Sequence, residues 1–194
     1  MKPLFLFVGE SGSGKTTIAD IAENKGYSVV SSYTTREPRV PNEHGHIFIT
    51  EEEFSALKNI VAYTFYNGYH YCTTQEQLDR SDIYVVDPDG VETLLNNYHT
   101  KRNITILYFG ATVANRILRM QARGDTNDQI IKRLLNDEKE YWYGKLVSLS
   151  WKSNVVDDED VELYKIRADE NIDDVLNQVF ERIQYVEGKH GNSM

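Results

Sequence analysis

The sequence predicts an α/β protein with a doubly wound parallel sheet, helices on both faces of that sheet and a small inserted lobe. Three observations support this fold class. An apolar run of five residues, Leu4–Val8, leads through a glycine-rich turn into a helical pattern. Short apolar runs and helical patterns then alternate along the chain, which is typical of parallel βαβ units. Short β-like segments interrupt this alternation between residues 33 and 73.

The predicted elements of the sheet follow in chain order. After the first strand, a helical pattern runs from Lys15 to Lys25 and stops at Gly26, a common helix terminator. Further strands are predicted at residues 27–31, 83–86, 104–109 and 161–168, and further helices at 90–98, 112–123 and 172–187. Right-handed connections between parallel strands place such helices on both faces of the sheet.

Residues 33–73 show a different pattern. Short predicted strands at 46–50, 60–66 and 69–73 surround one short helix that begins at Glu51. Four tyrosines cluster there, and tyrosine suits the half-buried strands of a small antiparallel sheet. We therefore predict a core from residues 1–32 and 74–188, an antiparallel lobe from 33–73 and a polar tail from 189–194.

Composition restricts the class of partner and the compartment. The 194 residues are 40% hydrophobic and 26% charged, which suits one folded domain. A net charge of −9 argues against a nucleic-acid partner, because such proteins carry an excess of lysine and arginine. The first apolar run is too short for a signal peptide or a membrane span. The single cysteine, Cys72, cannot form an intrachain disulfide. We expect a cytoplasmic protein, a monomer or homodimer, that binds neither nucleic acid nor membrane.

The most specific motif is the segment Gly9-Glu10-Ser11-Gly12-Ser13-Gly14-Lys15-Thr16, which fits G-x-x-x-x-G-K-[ST] between a predicted strand and a predicted helix. In such a P-loop, successive N–H groups point inward and favour an anion, as does the positive end of the following helix. Lys15 would act as a catalytic group on the β- and γ-phosphates of ATP, and Thr16 would bind Mg²⁺. The alternative is a glycine-rich turn that matches by chance. We predict ATP binding by Gly9, Glu10, Ser11, Gly12, Ser13, Gly14, Lys15, Thr16 and Thr17.

An acidic group at the end of a neighbouring strand would complete this site. The segment Ile83-Tyr84-Val85-Val86-Asp87 supplies strand-forming residues and then a carboxylate, which is the Walker-B arrangement. We predict that Asp87 and Thr16 are the metal ligands. The plainer interpretation, that residues 87–90 are a turn after a strand, is compatible with this role. Asp89 either caps the next helix or faces the acceptor.

Arginines are the remaining requirement, because phosphoryl transfer brings several negative oxygens together. The chain concentrates them after the second predicted strand and again around the helix at 112–123, at Arg36, Arg39, Arg116, Arg119, Arg123 and Arg133. Arg119 and Arg123 lie four residues apart and share a helix face, for which a solvated basic surface is the common explanation. The glycine that follows Arg123 favours a hinge instead.

Together these motifs resemble the guanylate kinase family across most of the chain. The resemblance rests on the P-loop, on Ser32-Tyr33-Thr34-Thr35-Arg36-x-x-Arg39 with Gly45 and Phe48, on Gly68-Tyr69-His70-Tyr71-Cys72-Thr73, on the Asp87 strand, and on Arg119-x-x-x-Arg123-Gly124 with Arg133. It implies a kinase that uses ATP and Mg²⁺ to phosphorylate a nucleoside monophosphate, with GMP or dGMP favoured. It also implies that the lobe at 33–73 binds this acceptor and that a lid lies near residues 124–128.

The resemblance assigns roles at the matching positions. Arg36, Arg39 and Tyr71 would hold the acceptor phosphate, while Ser32 and Thr73 would approach the base. The catalytic arginines Arg119, Arg123 and Arg133 would grip the donor phosphates when the lid closes.

Several base-reading positions depart from the family pattern. Ala62 stands where the family carries a glutamate that reads guanine, and Pro41-Asn42 replaces a Gly-Glu pair. Glu43, one place later, is a candidate substitute. Three functions therefore stay open: a nucleoside monophosphate kinase for guanine or another base, a kinase of another phosphorylated acceptor such as a sugar phosphate, and a non-catalytic binding module. An intact Lys15, Thr16 and Asp87 argue against the last of these.

Overall fold

The computed structural model describes residues 1–39, 41, 43–138, 142–156 and 161–191. In chain order its elements are β1 (Leu4–Val8), α1 (Lys15–Asn24), β2 (Ser32–Thr34), β3 (His46–Phe48), α2 (Glu51–Ala56), β4 (Ile60–Tyr66), β5 (Tyr69–Thr74), α3 (Gln75–Asp79), β6 (Ile83–Val85), α4 (Pro88–Asn97), β7 (Ile104–Gly110), α5 (Val113–Ala122), α6 (Asn127–Glu138), α7 (Trp142–Val156), β8 (Val161–Arg167) and α8 (Ile172–Gly191).

A central sheet of four parallel strands carries the core, in the spatial order β6, β1, β7, β8. Every residue of β1 is buried, because helices cover both faces of the sheet. Leu4, Leu6 and Val8 pack in one cluster with α3, α4 and α7. Phe5 and Phe7 pack in the other cluster with α1 and α8. The predicted α/β fold with helices on both faces is confirmed, and the P-loop follows β1 at the edge where the parallel strands end.

A second sheet, built from residues 32–74, has the order β3, β2, β5, β4. β5 pairs antiparallel with both β2 and β4. Asn67 and Gly68 join β4 to β5 with φ angles of 54° and 85°, as a type I′ hairpin turn requires. The prediction of a wholly antiparallel lobe is wrong in one pair: β2 and β3 run parallel, with Ser32 opposite His46.

Three further features differ from the predicted elements. The strand predicted at 27–31 is reduced to an isolated parallel bridge between Val29 and Ile83, because the chain leaves the central sheet here and joins the second sheet at Ser32. α8 continues to Gly191, so residues 189–191 of the predicted polar tail are helical, while residues 192–194 lie outside the described ranges. The sequence patterns did not predict α3, α6 or α7. Within the described segments, no helix is both long and apolar enough to cross a membrane.

Candidate active site

The P-loop between β1 and α1 has a conformation that depends on glycine. Gly12 and Gly14 have φ angles of +80° and +97°, in the left-handed region that side chains disfavour. A Cβ on Gly12 would also lie 2.7 Å from the carbonyl oxygen of Arg116, so α5 packs directly against the loop. α1 begins immediately after Gly14, which brings the positive end of its dipole to the loop.

Lys15 is half-buried, and its ammonium group turns onto the loop. Nζ donates to the carbonyl oxygen of Gly9, to that of Glu10 at 3.0 Å and to Ser13 Oγ at 3.2 Å. Burial lowers the pKa of Lys15 to about 8, although the negative charges of Asp137 and Glu10 oppose the shift. A bound phosphate would compensate this cation far better than the neutral carbonyl groups do.

A cavity of about 680 Å³ opens over the loop. Thr16 and Thr17 are exposed and belong to its lining. Beyond the P-loop and the acidic residue Glu170, the lining is basic or apolar. The basic residues are Arg39, Arg119, Arg123 and Arg133, and the apolar residues are Ile18, Ala122, Ala168, Ile172 and Val175. A cavity of this composition suits a ligand that combines a polyphosphate with a flat apolar group.

The protein itself holds three of these arginines in place. Arg119 donates to the carbonyl oxygen of Ser13 at 3.2 Å and to that of Ala168, just after β8, at 2.5 Å. Arg123 and Arg133 share the carboxylate of Asp125, at 2.5 Å and 3.3 Å. Although burial opposes the shift, these two arginines hold the pKa of Asp125 below its usual range. No sequence motif pointed to Asp125, which joins the end of α5 to α6 at the predicted lid.

Asp87 lies in a second cavity, of about 230 Å³, between the P-loop and Thr64 on β4. Its Oδ1 accepts the N–H of Gly90 and the hydroxyl of Thr64, both at 2.7 Å. The carboxylate is therefore the N-cap of α4. Burial raises the pKa of Asp87 above its usual value. Among the residues that the structure describes, Oδ2 has no hydrogen-bond donor, so a cap and a role beside Mg²⁺ are compatible.

Asp89 lines the same smaller cavity but does not cap α4. Its carboxylate pairs with Lys145 of α7, which also contacts Glu92 at 3.1 Å. Of the two alternatives for Asp89, the helix cap is therefore wrong, because Asp87 takes that position. The acceptor-facing role stays a prediction.

The oxygen donors present fit a nucleotide-bound Mg²⁺ rather than a preformed metal cage. Thr16 has an exposed hydroxyl, and Asp87 keeps Oδ2 for a further ligand. In the described part of the chain, no group of three or more His, Cys, Asp or Glu residues could hold a metal ion. Mg²⁺ commonly takes one or two protein ligands together with phosphate oxygens and water, which these two residues can provide.

Several predicted acceptor residues form one cluster on the second sheet. Arg36, which is 8% exposed, donates two hydrogen bonds to the Glu43 carboxylate at 2.8 Å and 3.1 Å. Glu43 also accepts the Arg39 N–H at 2.7 Å. Burial lowers the pKa of Arg36, but the nearby Glu43 and Tyr71 side chains outweigh this effect and raise the pKa above its usual value. The position of Glu43 gives no support to a role in reading the base. Its carboxylate identifies Arg36 as an anion-binding group.

His46 belongs to this cluster, although sequence reasoning did not assign it there. Its Nδ1 shares a hydrogen bond with Ser32 Oγ at 2.9 Å, and its ring lies edge-on to Tyr71 with centroids 5.7 Å apart. Burial, reinforced by the positive charge of Arg36, lowers the pKa of His46 to about 4, so the ring is neutral at neutral pH. His46 could have been assigned to this cluster only from its position opposite Ser32 in the parallel pair of β2 and β3, and the sequence does not give that pairing.

Arg39 contacts both this cluster and the large cavity, and its guanidinium lies 3.9 Å from the Glu43 carboxylate. It lines the large cavity, and burial together with the charges of Arg36 and Arg133 lowers its pKa.

Thr73 and Ala62 pair across β4 and β5, and both are 0% exposed. Ala62 packs in the core cluster that covers one face of the central sheet, where a carboxylate would lose its hydration.

The chain is similar to known guanylate kinases in sequence and in fold. No family model matches the chain. The guanylate kinases of Oleidesulfovibrio alaskensis and Granulibacter bethesdensis are each 29% identical to it, over 151 and 141 residues. These matches cover 69% and 64% of this chain, and 72% and 64% of the two relatives. The crystal structure of guanylate kinase from Anaplasma phagocytophilum is similar over 95% of this chain and 86% of that chain, with a TM-score of 0.54 and 12% identity.

The chain is similar to guanylate kinases in sequence and in fold, which supports an assignment to that family. The two relatives support this assignment, and the solved structure supports the fold. The similarity supports a nucleoside monophosphate kinase. The family assignment agrees with the P-loop, the basic cavity and the separate cluster around Arg36 on the second sheet.

Proposed function

We propose that this enzyme transfers the γ-phosphate of ATP to GMP or dGMP and releases the diphosphate. The observation that carries the proposal is the large cavity, where Lys15 and four arginines line one space in a chain of net charge −9. Asp125, Glu43 and Glu170 offset only part of this positive charge, so the cavity favours further anionic charge. Two phosphorylated substrates would supply that anionic charge.

ATP would lie with its phosphates along the P-loop. The loop N–H groups and the α1 N-terminus would hold the β-phosphate, and Lys15 would exchange its carbonyl partners for phosphate oxygens. The apolar lining near Ala122 and Ile172 would contact the adenine ring. When bound, Mg²⁺ would offset phosphate charge; the Thr16 hydroxyl and the Asp87 carboxylate would hold it.

The acceptor would bind the second sheet through its phosphate. Arg36 would release Glu43 for the more highly charged phosphate, with Tyr71 beside it. Ser32 and the neutral His46 would offer polar groups to the base. Arg39, which lines the large cavity and lies 3.9 Å from Glu43, would contact phosphates from both substrates.

Transfer in this arrangement requires positioning and charge stabilisation rather than a covalent intermediate. An acceptor phosphate oxygen would attack the γ-phosphorus in line as the bond to the β-phosphate breaks. Lys15 and the arginines of the cavity would donate hydrogen bonds to the oxygens that carry the developing charge. Because Arg123 and Arg133 are attached to α5 and α6, movement of the segment near 124–128 would bring them onto the donor phosphates.

Relaxed base selection is part of the proposal. Ala62 is fully buried and apolar, so it cannot accept hydrogen bonds from the N1 and N2 hydrogens of guanine. A hydrogen bond to a charged group is worth about 1.5–3 kcal/mol, so its absence removes roughly tenfold to a hundredfold of guanine preference. Another deoxynucleotide is therefore the second candidate acceptor.

The remaining parts of the assignment concern partner and compartment. The acceptor is a small molecule, the enzyme works as a monomer or homodimer, and it binds no nucleic acid or membrane. The buried thiol of Cys72 is consistent with the cytoplasm.

The test is ADP release from ATP and Mg²⁺ in the presence of GMP, dGMP, AMP, dTMP, dUMP or glucose 6-phosphate. We expect a guanine nucleotide to give the highest kcat/KM and at least one other nucleotide to fall within about tenfold of it, a gap of roughly 1.4 kcal/mol. Absence of nucleotide-dependent ADP release would contradict the kinase, and preference for the sugar phosphate would contradict the acceptor class.

A further inference from the structure

A buried ion pair lies against the P-loop, and its acidic partner lines the smaller cavity beside Lys15. Arg116 on α5 and Asp137 on α6 form a salt bridge, and they are only 5% and 4% exposed. Neither residue belongs to the P-loop motif or lines the large cavity. Such a pair costs desolvation energy and is seldom a net source of stability, so its contacts to other groups decide what it does.

Both partners bind the same P-loop residue. Arg116 Nε donates to the carbonyl oxygen of Ser11 at 2.9 Å, and Asp137 Oδ2 accepts the Ser11 N–H at 2.9 Å. The Ser11 hydroxyl adds a longer bond to Asp137 Oδ1, at 3.4 Å. The ion pair thus fixes the peptide groups on both sides of Ser11.

Fixing these carbonyl groups also fixes the N–H groups of the loop. In a planar trans peptide the C=O and the following N–H point in opposite directions. Arg116 holds the Ser11 carbonyl on the α5 side, so the Gly12 N–H points away from α5. Arg119 does the same for the Gly14 N–H by holding the Ser13 carbonyl.

α5 also packs closely against the loop at Gly12. The backbone of α5 touches Gly12, where even a methyl group would come within 2.7 Å of the Arg116 carbonyl oxygen. Asp137 also lies four residues after Arg133 on α6, so the two side chains share one helix face. The pair therefore connects the loop to the helix that carries an arginine of the cavity.

We propose that Arg116 and Asp137 are positioning residues that hold the P-loop in the conformation that binds the ATP phosphates. The inference rests on the proposed function, because it concerns how that site binds ATP. Its consequence is specific: loss of the pair weakens the binding of polyphosphates and leaves the acceptor cluster on the second sheet intact.

The experiment compares Arg116→Met with a matched control, Arg102→Met. Arg102 is another buried arginine, 8% exposed, which donates to the backbone carbonyls of Lys2, Pro3, Leu78 and Ser81 away from the P-loop. Calorimetry would measure the affinity for ATP and for inorganic triphosphate, and steady-state kinetics would measure KM for GMP. Thermal unfolding of each variant would report its stability.

We expect Arg116→Met to weaken both ATP and triphosphate by at least about tenfold, the scale for a lost charge-assisted hydrogen bond. KM for GMP should change by less than about twofold, because among the described residues the cluster around Arg36 shares no contact with the ion pair. Arg102→Met should lose stability while keeping its ATP affinity. Unchanged ATP affinity in Arg116→Met, or an equal loss in Arg102→Met, would overturn the inference.

Asp137→Asn provides a milder variant that keeps the side-chain shape. We expect a smaller loss of ATP affinity, because the amide oxygen can still accept the Ser11 N–H. The double variant should bind ATP no more weakly than Arg116→Met, since the two residues act as a unit, and additive losses would contradict the pair. Failure of the natural enzyme to bind either polyphosphate would overturn the proposed function itself, whereas tight binding that Arg116→Met retains would overturn this inference alone.

Discussion

At the residue scale, positive side chains gather at one site in a chain whose overall charge is negative. The chain is acidic, yet its P-loop cavity is lined by Lys15 and four arginines. The P-loop and the arginines were predictable because short motifs specify their chemistry. Asp125 and His46 were not, because each acts through a partner that only the folded chain brings near. Arg39 was assigned to the acceptor alone, but it also lines the cavity over the P-loop.

Lys15 should make ATP binding depend on pH. Burial lowers its pKa to about 8, so the ammonium form predominates below that pH and is lost above it. Bound phosphate favours the ammonium form, so binding above pH 8 should take up a proton. The affinity for ATP should fall by up to about tenfold per pH unit there. Calorimetry at pH 7.5 and pH 9, in buffers of different ionisation enthalpy, measures both effects.

Lys15→Arg is the control for this titration, because arginine stays protonated throughout the range. The variant should show no proton uptake at pH 9. Equal affinity and no proton uptake for the natural enzyme at the two pH values would show that Lys15 does not titrate where its burial indicates.

Replacing Arg36 and replacing Arg39 with alanine should affect substrate binding differently. Arg36→Ala should weaken the acceptor at least tenfold and leave ATP nearly unchanged, since hydrogen bonds to charged groups contribute about 1.5–3 kcal/mol. Arg39→Ala should weaken the binding of both substrates, because Arg39 lines the large cavity and also contacts Glu43 beside Arg36. Calorimetric titration of each variant with GMP and with an ATP analogue measures this.

Arg80→Ala is the matched surface control, since Arg80 is exposed and pairs only with Glu76 on its own helix among the described contacts. It should bind both ligands normally. If Arg39→Ala weakens acceptor binding and leaves ATP binding unchanged, Arg39 acts only in the acceptor site, and its place in the lining of the large cavity has no role in ATP binding.

At the element scale, regular patterns were predictable and mixed ones were not. β1, β7 and α1 follow from apolar runs and a terminating glycine. α7 was not predicted because its apolar residues show little helical periodicity. The parallel pairing of β2 with β3 could not be predicted, because strand patterns alone do not give the direction of pairing.

The contact between α5 and the P-loop gives a prediction at this scale. Gly12→Ala should lower stability and also abolish most ATP binding, because the new Cβ meets the backbone of α5 at 2.7 Å. Gly26→Ala is the control: its φ of +96° is equally strained, but no atom lies within 4 Å of its Cβ. It should cost about 1–2 kcal/mol of stability and leave ATP binding unchanged. Urea unfolding and ATP titration measure the two effects. Normal ATP binding by Gly12→Ala would show that the loop can move away from α5.

At the scale of the whole molecule, one sheet carries the proposed ATP site and the other carries the proposed acceptor cluster around Arg36. The P-loop follows β1 of the central sheet, while Arg36, His46 and Tyr71 belong to the second sheet or its adjoining loop. The sequence predicted both parts of this division, because each carries its own motif. It could not predict that Glu43 binds Arg36, nor that Ala62 is sealed in the core, since both depend on how the sheets pack.

Transfer of a labelled phosphate tests the central claim most directly. The enzyme would be incubated with Mg²⁺, GMP and ATP labelled at the γ-phosphate, and the products separated by chromatography. The label should appear in GDP in equal amount to the ADP formed, and Lys15→Ala should lower this rate by roughly 10²–10³, the loss expected when a donor to the transition state is removed. Release of the label only as inorganic phosphate, or near-full transfer by Lys15→Ala, would contradict the account.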